Sequence, residues 1–205
     1  SALFQGSGRP VLGDYDGDRR ADPIVYDRVS GLWQILFSGR NYAQGQGPFA
    51  AGTHGLIADF EGLGPGNPAV FDRDRGRWYI LTSKGLFEWN WGEADFEPVI
   101  GDYDGDGKWD LAVYQESTGA WFVRTLDGRL LVSGAGWGGP GHRPVPGDFD
   151  GDGFWDAAIY CESAGTWSIV SPDGRIMALN MILGGPGRKP VMGDYDGDGK
   201  WDLAV

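Results

Sequence analysis

Four closely similar acidic segments stand out in the sequence, because their residue types and spacing could bind a metal ion. Each follows the pattern Asp-x-Asp-x-Asp-Gly-x-x-Asp or a close variant, starting at Asp14, Asp102, Asp148 and Asp194. Alternate residues of a tightly curled loop point to the same side, which is why positions one, three and five carry ligands in calcium loops. The sequence therefore predicts four sites for a divalent cation.

The predicted ligands are the carboxylates at positions one, three, five and nine and the main-chain carbonyl at position seven. In chain order they are Asp14, Asp16, Asp18, Arg20 and Asp22; Asp102, Asp104, Asp106, Lys108 and Asp110; Asp148, Asp150, Asp152, Phe154 and Asp156; Asp194, Asp196, Asp198, Lys200 and Asp202. Two such carboxylates about 5 Å apart repel by roughly 3 kcal/mol at an effective dielectric of about 20. A cation removes that cost, and hard oxygen ligands favour Ca²⁺ over Mg²⁺ or Zn²⁺.

The alternative interpretation of one such segment is a solvated acidic turn held by Asx hydrogen bonds. Four copies in constant register favour calcium. The segments are not EF-hand loops, because the twelfth position holds an apolar residue such as Val113 instead of a bidentate glutamate. A fifth, eroded copy starts at Asp59 and has Leu63 at position five and Pro65 at position seven. We expect that copy to bind an ion weakly or not at all.

The acidic segments recur at steps of 43 to 46 residues, and a tryptophan lies 19 residues after the start of each of the first four copies. These tryptophans are Trp33, Trp78, Trp121 and Trp167. Each unit contains four short apolar runs separated by turn signals, and 3.6-residue periodicity is absent. A period of about 45 residues with four strands is typical of a β-propeller blade.

The sequence thus predicts an all-β β-propeller of four-stranded antiparallel blades in a single domain, residues 1–205. The predicted repeat units are 14–58, 59–101, 102–147 and 148–193, with 194–205 and 1–13 combining as a partial closing blade. On this interpretation the propeller has about five blades, one of them shared between the termini. The alternative is a fragment of a larger propeller or an open array.

Net charge and cysteine content exclude several classes of function. The formal net charge is −12, and 16 of the 29 acidic residues lie in the four intact segments. A nucleic-acid partner is therefore not expected. Membrane insertion is not expected either, because no apolar run approaches the roughly 18 residues that a membrane helix needs. Cys161 is the sole cysteine, so an internal disulfide is excluded. It is expected at a partly exposed strand end as a free thiol.

Aromatic residues outside the repeat pattern are the candidates for ligand binding. Trp89, Trp91 and Trp137 lie in the variable part of their repeats, where binding residues are expected. The repeated tryptophans Trp33, Trp78, Trp121 and Trp167 are instead expected to be packing anchors between blades. Another set, Trp109, Trp155 and Trp201, is expected to cover the metal loops, although exposed rings there could stack on a carbohydrate.

Catalysis is not expected. His54 and His142 are interpreted as surface loop residues, far apart and without a serine or cysteine nucleophile motif nearby. Glu93 and Asp95 depart from the repeat pattern, but neither has an evident acid–base partner. The sequence therefore favours a binding or structural module over a lyase or hydrolase.

The segment 98–114, Pro-Val-x-Gly-Asp-Tyr-Asp-Gly-Asp-Gly-x-x-Asp-Leu-Ala-Val-Tyr, resembles the FG-GAP/VCBS-type repeat, and it recurs from Pro190 to Val205. The calcium-binding blades of integrin α-subunit propellers are similar. The resemblance implies structural calcium in the four intact loops and an extracellular or cell-surface location. It implies a non-catalytic module for adhesion, ligand binding or assembly, with a protein or glycan ligand; the alternative is a lectin propeller that uses surface tryptophans. The open terminal blade would also allow self-assembly.

Overall fold

The computed structural model describes residues 8–11 and 13–205 of the 205-residue chain. The chain divides into two compact units, one ending at Phe96 and the other comprising Glu97–Val205. Strands dominate the described residues, and the strand order within every sheet follows the chain. This meander is expected when short apolar runs are joined by glycine-rich turns.

Two antiparallel four-stranded sheets form in the first part of the chain. The first contains β1 (Arg9–Val11), β2 (Ile24–Asp27), β3 (Leu32–Phe37) and β4 (Ala43–Pro48), with a 3₁₀ helix at Ser38–Arg40 between the last two. The second contains β5 (His54–Ala58), β6 (Asn67–Asp72), β7 (Arg77–Thr82) and β8 (Gly85–Asn90).

The third and fourth sheets have the same order. The third contains β9 (Phe96–Pro98), β10 (Leu111–Gln115), β11 (Ala120–Arg124) and β12 (Leu130–Gly136). The fourth contains β13 (His142–Pro144), β14 (Ala157–Cys161), β15 (Thr166–Val170) and β16 (Ile176–Ile182). Beyond them, Val191 and Ala204 form an isolated antiparallel bridge. The four-stranded antiparallel repeat predicted from the sequence is confirmed.

The second strand of each sheet carries the core. In β10 the four residues Leu111 to Tyr114 are all fully buried, as expected for a strand covered on both faces. The repeated tryptophans are buried against the aromatic residue paired with them on that strand: for example, the rings of Trp121 and Tyr114 lie 5.1 Å apart. The Nε1 atom of Trp121 donates to the carbonyl of Trp137 at 2.8 Å, which ties the end of the fourth strand to the third.

Several expectations about individual residues can be compared with the structure. His54 and His142 are not surface loop residues: they are the half-buried first residues of β5 and β13. Cys161 is a free thiol of intermediate exposure at the end of β14, as expected. Within the predicted closing blade, the sequence also indicates a strand at residues 2–4, which lies outside the described residues. Across the described residues, no helix has the length and apolar character that a membrane span requires.

Candidate metal centre

The five acidic segments form loops of the same shape, which we number in chain order: loop 1 (14–22), loop 2 (59–67), loop 3 (102–110), loop 4 (148–156) and loop 5 (194–202). Loops 1 to 4 each join the first and second strands of a sheet. In loop 3 the N–H of Asp110 donates to the carbonyl of Gly101 at 2.7 Å and closes the loop at its base. Loops 1, 4 and 5 are closed by the equivalent bond at 2.8 Å.

The carboxylate at position one organises the loop from inside. Asp102 accepts hydrogen bonds from the N–H groups of Asp106 at 3.1 Å and Gly107 at 2.8 Å. Gly107 has a φ of 80°, in the left-handed region, which lets its N–H turn inward. The sharp curl that results brings the alternate carboxylates to one side of the chain.

Carboxylate oxygens converge in four of the five loops. In each, three ligand atoms lie within 4.8 Å of one another. The groups are Asp14, Asp16 and Asp18; Asp102, Asp104 and Asp110; Asp148, Asp150 and Asp156; Asp194, Asp196 and Asp202. These are the four loops in which the sequence predicts a cation, and the eroded loop 2 does not form such a group among the described residues.

The position-nine carboxylate of loop 4 is buried and only partly satisfied. In loop 4, Asp156 is 0% exposed; its Oδ2 accepts from the N–H of Phe149 at 2.9 Å, while its buried Oδ1 has no hydrogen-bond partner. Burial raises the pKa of Asp156 to about 7; the hydrogen bond from Phe149 opposes the rise, and the neighbouring aspartates add to it. Asp110 in loop 3 also has a pKa raised by burial to about 7.

This pattern fits a divalent cation. Burying a carboxylate oxygen without a hydrogen-bond partner lowers the stability of the folded chain, and the repulsion from two further carboxylates beside it lowers the stability further. In loop 1 the buried Oδ1 of Asp16 is likewise without a partner. A cation would satisfy these oxygens and remove the repulsion, so the donor chemistry suits Ca²⁺ in loops 1, 3, 4 and 5.

Position five departs from the predicted ligand set in loops 3, 4 and 5. Asp106, Asp152 and Asp198 lie outside the converging groups. Each accepts a hydrogen bond at 2.9 Å from the N–H two residues further on, which makes an Asx turn. In loop 3, Asp106 also pairs with the ammonium of Lys108 at 2.8 Å. In this arrangement these side chains shape the loop instead of facing the cluster.

Loop 1 has a different ligand geometry. Asp18 joins its converging group, whereas Asp22 does not. Both oxygens of Asp22 are engaged, because Oδ2 accepts from the N–H of Tyr15 at 2.8 Å and Oδ1 from the N–H of Ser38 at 2.7 Å. The Ser38 hydroxyl also donates to Asp18 at 3.1 Å. Hydrogen bonds from the chain itself therefore engage both oxygens of Asp22, and its role as a ligand stays a prediction.

Loop 2 shows how the same shape is kept by hydrogen bonds alone. Asn67 occupies position nine, and its Oδ1 accepts from the N–H of Phe60 at 3.0 Å, as the aspartates do elsewhere. Its Nδ2 donates to Glu61 at 2.9 Å. Ser83 donates to Glu61 through its N–H and its hydroxyl, each at 2.7 Å. Although burial favours the protonated acid, these hydrogen bonds leave the pKa of Glu61 lowered.

The turn between the third and fourth strands also contributes to the site, which sequence reasoning missed. Arg129 forms an ion pair with Asp104, and Arg175 forms the equivalent pair with Asp150. Both guanidinium groups come from an Asp-Gly-Arg turn, 127–129 and 173–175. The recurrence of that tripeptide at the same distance from two acidic segments was the available signal.

Of the three tryptophans predicted to bind a ligand, Trp137 lines a cavity of about 330 Å³ between the third and fourth sheets. The rings of Tyr103, Trp121 and Trp155 form its buried wall, and its rim includes exposed residues such as Pro172. Trp89 and Trp91 belong to the first unit: Trp89 stacks on Phe87 at 5.5 Å, and the Trp91 carbonyl accepts from Trp78.

The loop tryptophans pack against neighbouring repeats. Trp155 lies between Trp109 and Trp201, with ring centroids 4.7 and 4.8 Å away. Its ring also lies on Gly101, the glycine that directly precedes loop 3, because a Cβ atom there would be 2.2 Å from Trp155 Cε3. Trp155 is only 8% exposed, so it is a packing residue and not an exposed sugar platform.

Comparison with known proteins agrees with this description. Residues 102–159, which include loops 3 and 4, match the family described as FG-GAP-like repeat. Residues 102–159 thus form an FG-GAP-like repeat, as the resemblance predicted, and the sheets of the chain are blades of the β-propeller type. No curated protein sequence matches the chain.

Two solved structures illustrate the fold. A lectin from Agrocybe aegerita, described as specific for non-reducing terminal N-acetylglucosamine, has a TM-score of 0.65 at 18% identity, covering 96% of this chain and 59% of the lectin chain. Virginiamycin B lyase from Staphylococcus aureus has a TM-score of 0.61 at 12% identity, and the match covers 92% of this chain and 60% of the lyase chain. This chain therefore spans about 60% of the length of these structures, and identities this low show the fold alone.

Proposed function

We propose that this chain is a non-catalytic, calcium-stabilised module of an extracellular or cell-surface protein, used for ligand binding or assembly. The observation that carries the calcium proposal is the buried, unpaired Oδ1 of Asp156, with two further carboxylates converging on the same point. Loops of this kind are filled at the roughly millimolar calcium concentration found outside cells. The FG-GAP-like match favours a module without catalysis, and the likeness to a lyase extends to the fold only.

The proposal predicts four bound ions, and counting them is its direct test. Calorimetric titration of the chelated, desalted full chain with Ca²⁺ should give a stoichiometry of four. The variant Asp148→Asn/Asp150→Asn should bind three ions, because it removes two of the three converging carboxylates in loop 4. Terbium luminescence excited through tryptophan gives a second readout, since Trp155 directly precedes Asp156.

The matched control lies in loop 2, whose acidic residues are held by hydrogen bonds. Asp59→Asn changes the same position-one residue in a loop where Asn67 and Ser83 already satisfy Glu61. This variant should still bind four ions. A wild-type chain that binds no Ca²⁺ at millimolar concentration, or equal losses in both variants, would contradict the proposal.

The cavity between the third and fourth sheets favours a second candidate, a carbohydrate-binding function. Its volume of about 330 Å³ is at the small end for a ligand pocket, so a single sugar ring is the appropriate size. Trp137 and Trp121 present aromatic surface against which the C–H face of a pyranose can pack. A terminal N-acetyl-hexosamine is a suitable probe, because its acetyl methyl group matches the apolar wall.

Binding of N-acetylglucosamine to this cavity can be measured by ligand-observed NMR on the calcium-loaded chain. Trp137→Ala is expected to weaken binding at least tenfold, because it removes the half-buried ring that lines the cavity. Trp89→Ala is the control, since it removes an equally half-buried tryptophan from the first unit. Loss of binding in Trp89→Ala with retention in Trp137→Ala would exclude the cavity as the sugar site.

A further inference from the structure

Successive acidic loops are joined by a main-chain hydrogen bond that recurs along the chain. The N–H at position eight of one loop donates to the carbonyl at position one of the loop before it. Three such bonds are present: Gly66 to Asp14 at 2.7 Å, Trp155 to Asp102 at 2.7 Å and Trp201 to Asp148 at 2.8 Å. The bond thus connects loop 2 to loop 1, loop 4 to loop 3 and loop 5 to loop 4.

Side chains reinforce the same connections. The residue at position seven lies against the glycine at position four of the preceding loop. A Cβ atom on those glycines would come within 3.0 Å of the neighbouring side chain, as follows: Gly17 and Pro65 at 3.0 Å, Gly105 and Phe154 at 2.9 Å, Gly151 and Lys200 at 3.0 Å. The rings of Trp155 and Trp201 also cover Gly101 and Gly147, at 2.2 and 2.8 Å from an added Cβ.

These contacts reach the candidate ligands from both sides. Trp155 directly precedes Asp156, the position-nine carboxylate of loop 4. It binds the main chain of Asp102, the position-one residue of loop 3, and covers Gly101, whose carbonyl accepts from the N–H of Asp110. A cation that fixes Asp156 would therefore also fix the residue that holds Asp102 and Asp110 in place.

We propose that cation binding in loops 3, 4 and 5 is positively cooperative and that the coupling passes through the residues at positions seven and eight. This inference rests on the proposed calcium function. Ordering one loop removes conformational freedom from the contacts that the preceding loop needs, so the next ion has less ordering entropy to overcome. Because such coupling is reciprocal, occupancy of loop 3 also favours loop 4.

Loop 1 provides an internal contrast. Its neighbour, loop 2, is ordered without an ion by the hydrogen bonds of Asn67 and Ser83 to Glu61. Pro65 and Gly66 therefore hold loop 1 whether or not calcium is present. Loop 1 is expected to bind its ion independently.

The test is calorimetric titration of the full chain with Ca²⁺, with loops inactivated one at a time. Inactivating loop 4 with Asp148→Asn/Asp150→Asn should weaken binding at loops 3 and 5 at least fivefold, the lower end of ordinary allosteric coupling. Inactivating loop 1 with Asp14→Asn/Asp16→Asn should leave the affinity of the other three loops unchanged. Equal effects of the two variants would overturn the coupling.

A second variant addresses the path without removing a ligand. Trp155→Phe changes no predicted ligand and shortens the ring that lies on Gly101. It should retain four ions and the native circular dichroism spectrum but lower the Hill coefficient of the second-unit loops toward one. Four ions with an unchanged Hill coefficient would overturn the proposed path. A wild-type chain without bound Ca²⁺ would instead be the failure of the calcium proposal.

Discussion

Removal of calcium is expected to lower the melting temperature of this chain by at least 20 °C. At a free calcium concentration 100 times the dissociation constant, one site that binds only the folded state adds about 2.7 kcal/mol. Four sites then add on the order of 10 kcal/mol, which is comparable to the whole free energy of unfolding of an ordinary domain. For a chain of this length each kcal/mol changes the melting temperature by about 2 to 4 °C.

The electrostatics of the loops make the loss of stability on calcium removal larger than the number of bound ions alone suggests. Asp110 and Asp156 are almost completely buried, and their pKa values of about 7 show that the charged form is disfavoured without a cation. The chelated chain at neutral pH must therefore bury charges that repel one another or bind protons in their place. Calcium removes both costs, because it neutralises the carboxylates where they converge.

The measurement is thermal denaturation followed by circular dichroism, with calcium in excess and after EDTA treatment and dialysis. A variant with asparagine at position one of loops 1, 3, 4 and 5 is the control, because it should melt low in both conditions. Magnesium at the same concentration should restore little of the stability, since its smaller shell suits these loops poorly. A melting temperature that is the same with calcium and after chelation would refute the stabilising role.

The fold was predictable from the sequence because the repeat is visible in several independent features. The acidic segment, the tryptophan 19 residues later and the glycine turns all recur in register, so each blade confirms the assignment of the others. Pairing within each blade is local, between strands joined by short turns, and the register of Tyr114 opposite Trp121 follows directly. The strand bounds were less predictable: the sequence pattern predicts a first strand at Pro98–Gly101 in the third copy, whereas β9 comprises Phe96–Pro98.

The carboxylate positions were predictable only in part. Spacing alone brings positions one, three and five to the same side of a loop, but it does not show which oxygens the chain itself satisfies. In loop 3 Asp106 lies outside the converging group and accepts from the N–H of Lys108, and in loop 1 Asp22 lies outside the group and accepts from the N–H of Ser38. Ser38 is 16 residues from Asp22. It follows Trp33, in the part of the repeat that varies in length, so the sequence pattern does not predict its contact with Asp22.

The contacts between blades could not be derived from the sequence either. The tryptophans at position eight were expected to cover the metal loops, whereas Trp155 of loop 4 lies on Gly101, which directly precedes loop 3. Nothing in a local pattern indicates which neighbour a side chain will reach, because that depends on how successive sheets pack. The glycine before each acidic segment was nevertheless a visible signal, since Gly101, Gly147 and Gly193 recur at the same position.

Gly101→Ala is expected to destabilise the chain by about 3 kcal/mol, the upper part of the usual range for overpacking. The added Cβ would lie 2.2 Å from Cε3 and 2.6 Å from Cδ2 of Trp155, and that ring cannot retreat easily because Trp109 and Trp201 pack on either side. Such a change corresponds to a melting temperature lower by about 6 to 12 °C. Urea denaturation in excess calcium measures it directly.

Gly136→Ala is the matched control for the same unit. Gly136 lies in β12, and a Cβ atom there would meet nothing within 4 Å, so its effect should stay within about 0.5 kcal/mol. The double variant Gly101→Ala/Trp155→Phe should recover part of the loss, because the smaller ring leaves room for the methyl group. If Gly101→Ala were as stable as Gly136→Ala, the close packing of Trp155 on Gly101 would be wrong. The contact through which we connect loop 4 to loop 3 would then lose its structural basis.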